Sequence, residues 1–217
     1  MRSGLSDVIV ERDERQRPVR GRGVTEGGRT LGFTVQARRT VADTVSVELV
    51  AWEGTSRLLR MDVEIVPDRR ISHRADCPGL ALEWTMDFSS LHGARLAHIT
   101  GQVNGRPVHG DFDYLDETTT VNVSLDHWLP ESLKERVSAL GPLFKSLSME
   151  LVAQRTGNRA ESWALARAGT AASCATSGGI GCLASGFAFA LAASVCSEEP
   201  GVDETVTRSA TPASLPT

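Results

Sequence analysis

Lysine is nearly missing from this chain: of 23 basic residues, only Lys134 and Lys145 are not arginine. Aromatics are sparse too, with one tyrosine (Tyr114) and four tryptophans, so any core must be chiefly aliphatic. The N-terminus, MRSGLSDVIVERDERQRPVRGRG, holds no apolar run and no twin-arginine pair leading into one. That argues against Sec-type export through a cleaved N-terminal signal. The four cysteines form no CxxC pair, so the usual zinc and dithiol spacings are absent. In a reducing cytoplasm all four are expected to be free, small and buried. There is no G-x-S-x-G elbow, Walker loop, H-E-x-x-H or dinucleotide fingerprint. Gly178-Gly179-Ile180-Gly181 follows no strand pattern and lacks the Lys or Ser/Thr that phosphate binding needs. These absences lean against an enzyme. A net charge of -4 over 217 residues gives no reason to expect nucleic acid as a partner.

What the chain does contain changes character along its length. Residues 1–28 are polar, rich in arginine and punctuated by Pro18 and glycines, which reads as a disordered arm. Residues 29–126 read as an antiparallel β domain. Leu31, Phe33 and Val35 alternate with polar neighbours, as do Val45, Val47 and Leu49. Met61, Val63 and Ile65 do the same, followed by Leu80, Leu82 and Trp84. Such period-2 runs mark strands with one buried face, and their spacing suggests a sandwich or barrel.

The strongest local signal is Asn104-Gly105, a dipeptide suited to a type I′ hairpin turn. It pairs Val103 with Arg106, Gly101 with Val108, Ile99 with Gly110 and Ala97 with Phe112. One face then carries Ile99, Val103, Val108, Phe112 and Tyr114; the other carries His98, Thr100, Gln102, His109, Asp111 and Asp113. A further strand runs from Thr119 to Leu125.

Residues 127–197 read as a helical region. Leu133, Val137, Leu140, Phe144, Leu147 and Leu151 form an amphipathic stripe. Pro142 predicts a kink or two helices in line, 131–140 and 142–154. Gly157-Asn158 should end that stripe, with Asn158 capping the next helix. Gly169–Ser197 then contains no charged residue and holds Cys174, Cys182 and Cys196. Residues 198–217 are acidic and then rich in Pro, Ser and Thr, which reads as a disordered tail.

Two clusters are candidates for chemistry. On the polar hairpin face, His98 should lie opposite Asp111, with His109 on the same side. The three could hold a divalent metal, or His98 and Asp111 could act as an acid–base pair. The simpler account is the solvated face of a sheet. His73, Asp76 and Cys77 are placed in a loop ending at Pro78-Gly79, where a cysteine near a histidine suggests a nucleophile without an orienting third group. His127-Trp128 more simply packs and caps. No other cofactor is implied.

The uncharged segment has three readings. It is long enough to span a bilayer, which takes about 20 residues, as a tail anchor, although only Ile180–Val195 is appreciably apolar. It could instead be a small-residue helical hairpin, broken at Ser177-Gly178-Gly179 and packed on the amphipathic helix. Third, SCATSGGIGCLASGFAFALAASVC resembles the Cys-, Gly- and Ala-rich mature regions of halocin C8-like bacteriocins. That resemblance implies a membrane-active peptide at the C-terminus of a precursor, released from a leader or immunity-type portion. Its working residues would be Cys174, Gly178, Gly179, Gly181, Cys182, Phe187, Phe189 and Cys196. A membrane and a processing protease or exporter would be its partners, and it would start as a cytoplasmic precursor.

Overall fold

The computed structural model describes residues 5–40, 44–66, 69–87, 96–113, 116, 118–122, 131–154 and 160–196, without the side chains of 131–134, 160–165 and 175–181. The expectations for Tyr114, His127-Trp128, Asn158 and the 198–217 tail lie outside these residues.

Ten strands form one antiparallel sheet in simple chain order: β1 (Ser6–Arg12), β2 (Pro18–Val24), β3 (Thr30–Arg39), β4 (Val45–Glu53), β5 (Ser56–Val66), β6 (Arg70–Cys77), β7 (Leu80–Asp87), β8 (Leu96–Val103), β9 (Arg106–Asp113) and β10 (Thr118–Val121). Two helices follow, α1 (Glu131–Ala153) and α2 (Ala160–Cys196). A β-rich region followed by a helical one is therefore the architecture. Among the described residues the strands make one continuous sheet rather than two facing ones. Among the described residues β1 pairs only with β2, and β10 only with β9. The apolar face is covered by helices rather than by a second sheet, with α2 touching β3, β4, β5, β6 and β10.

The alternating runs occupy that face as expected. One inward row crosses the sheet through Val47, Val63, His73, Trp84, Gly101 and Val108, each paired with the next. At the β8–β9 turn Asn104 and Gly105 take φ of 47° and 78°, as a type I′ turn requires. The pairing is Val103–Arg106, Gly101–Val108, Ile99–Gly110 and Ala97–Phe112. Gly101 belongs there because any side chain would run into Trp84 and the Glu83 carbonyl.

Three expectations are corrected. The arginine-rich arm is a β-hairpin from residue 6 onward, not a disordered segment. Its inward positions include Gly21, under the Phe33 ring, and Gly23, against Leu5. The loop assigned to His73, Asp76 and Cys77 is strand β6, so alternation turns His73 and Cys77 inward and Asp76 outward. And of the two arrangements expected around Pro142, separate helices 131–140 and 142–154 are replaced by one, since α1 runs unbroken through Pro142 with Val137, Leu140, Phe144, Leu147 and Leu151 all buried.

α1 is tied to the sheet at both ends. Arg136 bonds Glu53 at 3.1 Å and Arg12 bonds Glu150 at 2.9 Å. Between them, Phe144 packs on Phe33 and Phe187.

Candidate functional site

The uncharged segment is a hairpin. In a straight helix residues eight apart are separated by about 12 Å, yet the Cα atoms of Cys174 and Cys182 are 4.2 Å apart. Gly169 meets the ring of Phe189, and Thr170 meets Gly186. These three contacts fold the helical run Ala160–Cys196 back on itself between Cys174 and Cys182, where Ser177, Gly178, Gly179 and Gly181 lie. Small residues permit this approach of the two arms. Gly141 of α1 serves the same end, since a side chain there would press on Leu183.

The turn joins Cys174 to Cys182 in a disulfide, contrary to the expectation that all four cysteines are free. Sequence separation alone gives no hint of it, because only the hairpin brings the two together. Cys77 and Cys196 are buried thiols. Burial, with Asp76 adding to it, raises the Cys77 thiol to about 11, which suits an inert packing residue rather than a nucleophile.

The second arm has no exposed face among its described residues. Ala184, Ser185, Phe187, Ala188, Phe189, Ala190, Leu191, Ala192, Ala193, Val195 and Cys196 are all buried. A helix apolar all round needs partners on every side, and here the sheet and the two other helical stretches supply them. Phe187 packs between Phe33 and Phe144. Phe189 stacks on His73 and Trp84, whose rings lie 5.2 Å apart across the β6–β7 pair. Against the sheet the arm presents one polar group in this cluster, the Ser185 hydroxyl. Ser185 Oγ is 3.3 Å from His73 Nε2 and 3.5 Å from Met61 Sδ. His73 is 2% exposed, and burial lowers its pKa to about 3, so the ring is neutral. This Ser–His pair was not anticipated, although His73 stands between Ile71 and Ala75 in perfect alternation.

No helix among the described residues is long and apolar enough to cross a membrane.

The polar hairpin face assembles in part. His98 lies opposite Asp111, and Nδ1 is 2.7 Å from Oδ1. His109, two residues from Asp111 on the same strand, faces Thr100. Among the described residues no three His, Cys, Asp or Glu side chains gather closely enough to hold a metal ion. The pair itself is open to solvent, His98 being 69% and Asp111 42% exposed.

No protein-family model matches the chain, and neither a curated protein nor a solved structure matches it.

Proposed function

We propose that this chain is a carrier for its own C-terminal apolar hairpin: the β sheet and α1 shield a membrane-active, bacteriocin-like peptide until it is released. The observation that carries this reading is that the hairpin is a self-contained unit. It is closed by Cys174–Cys182 and by the Gly169–Phe189 and Thr170–Gly186 contacts, none of which involves the sheet. Such a unit keeps its internal contacts when it leaves, while its uncharged surface then has to find an apolar phase. The Cys174–Cys182 bond is also of the kind that persists in oxidising surroundings, which fits a peptide destined for export. Intact-mass analysis of culture fluid and cell fractions from producing cells tests the proposal. A disulfide-closed fragment containing residues 169–196, found outside the cells or on membranes, supports it. Full-length chain as the sole species speaks against it.

A second reading rests on the 2.7 Å His98–Asp111 contact: acid–base or metal-assisted chemistry on the outer face. Titration of the purified chain with zinc decides it, since stoichiometric binding lost in His98→Ala and His109→Ala is required.

A further inference from the structure

His73 is the one buried ionisable side chain, apart from the thiols of Cys77 and Cys196, among the described residues. It sits where the second arm of α2 meets the sheet. Its neighbours on that face are Met61 and Val63 of β5, Trp84 of β7, and Ser185 and Phe189 of α2. None of these carries a charge. The charged groups on the same strands stand on the opposite face, where Arg74 pairs with Glu83, Arg60 with Asp62 and Arg70 with Glu64. From α1, Arg136 and Glu150 are engaged by Glu53 and Arg12.

The hydrogen-bonding capacity around the ring suits a neutral imidazole only. Nε2 faces the Ser185 hydroxyl, which can give or take a proton. Nδ1 is buried without a partner, and so is the neighbouring Trp84 Nε1. A protonated ring would present two N–H donors to a site with one acceptor. It would also place a cation among apolar side chains, where an unpaired charge is strongly disfavoured.

We propose that the Ser185–His73 contact is an acid-sensitive latch, so that protonation of the imidazole expels the second arm of the hairpin from the sheet. The proposal deepens the carrier reading and rests on it, because it makes acid the signal that frees the stored hairpin.

The sign follows from linkage. With the arm seated, His73 stays neutral down to a pKa of about 3. With the arm out and the ring in water, it titrates near its ordinary value of about 6.5. Above that pH neither state binds the proton and the latch is indifferent. As pH falls below it, only the open state gains a proton, so opening grows by about tenfold per pH unit.

Hydrogen exchange of the oxidised full-length chain, followed by mass spectrometry and corrected for the intrinsic pH dependence of exchange, reads this directly. Between pH 6.5 and 4.5 the opening constant for amides of 184–196 should rise about 50-fold, while strand amides of β4–β6 stay protected. In His73→Leu the rise should vanish. An equal rise in His73→Leu, or a rise shared equally by the strand amides, overturns the latch. If His73→Leu does not fold, histidine-ring NMR of the natural chain decides instead. A His73 resonance that stays neutral until the arm opens supports the latch, and one that titrates near 6.5 in the closed protein overturns it. No membrane is present in these measurements. A pH-gated arm with no processed fragment in producing cells therefore removes the membrane role alone, whereas a fragment with no pH gating removes the latch alone.

Discussion

Gly169 lies against the ring of Phe189, so the two arms of α2 touch without a side chain between them. A methyl group at Gly169 would run into that ring, which is itself fully buried against His73 and Trp84. Gly169→Ala should therefore lower stability by about 1–2 kcal/mol, the overpacking cost exceeding the helix-propensity gain. Gly186→Ala is the paired control. Its added methyl would meet only Thr170 Cγ2, at 3.5 Å, an ordinary contact. That substitution should be neutral or gain up to about 1 kcal/mol. Urea unfolding of both variants measures the contrast, and a straight helix over 160–196 would give the same sign for the two.

Thiol counting checks the cysteine assignment. Cys77 and Cys196 are buried, and the Cys77 thiol is pushed up to about 11. At pH 8 the folded protein should not react with a thiol reagent. In denaturant without reductant it should titrate two thiols, and after reduction all four. Four thiols before reduction would show that Cys174 and Cys182 are not joined.

Asn104 does more than turn the β8–β9 hairpin. Its Oδ1 accepts from the Ala81 N–H at 2.7 Å, and its Nδ2 donates to the Gly79 carbonyl at 3.0 Å. Its own N–H donates to the Ala81 carbonyl at 2.8 Å. The side chain thus ties the β6–β7 turn to its neighbour. Asn104→Gly keeps the positive φ and loses both side-chain bonds, and should cost about 1–2 kcal/mol. Asn104→Ala also sets an unsuitable residue at φ 47° and should cost about 1 kcal/mol more. Thermal unfolding of the two variants separates the terms.

The elements legible in the sequence were those whose side chains do their own packing. Leu31, Phe33 and Val35, or Met61, Val63 and Ile65, alternate because each fills the core directly. The β8–β9 register followed from Asn104-Gly105, since a two-residue turn leaves one pairing. The α1 stripe was equally plain. What stayed hidden depends on partners far along the chain. β2 carries no apolar alternation because Gly21 and Gly23 stand inward, making room for Phe33 and Leu5. β6 read as a loop because a histidine occupies an inward position, and its suitability there depends on Ser185, 112 residues on. The Cys174–Cys182 bond and the Gly169–Phe189 contact likewise depend on the chain folding back, which the sequence offers only as one of three readings. On the outer face the His98–Asp111 pair was legible, because direct opposition across a hairpin is a matter of register alone.

The claim that matters most is that the hairpin is a separable cargo with an affinity for membranes. A site-specific protease sequence placed between Gln154 and Ala160 allows the folded, oxidised chain to be nicked, mixed with anionic lipid vesicles and floated. The expected result is that the disulfide-closed C-terminal fragment rises with the vesicles while the sheet remains below, and that the uncut chain does not rise at all. A nicked fragment that stays with the sheet in the lower fraction, vesicles notwithstanding, would make the hairpin simply the core of this fold and contradict the carrier reading.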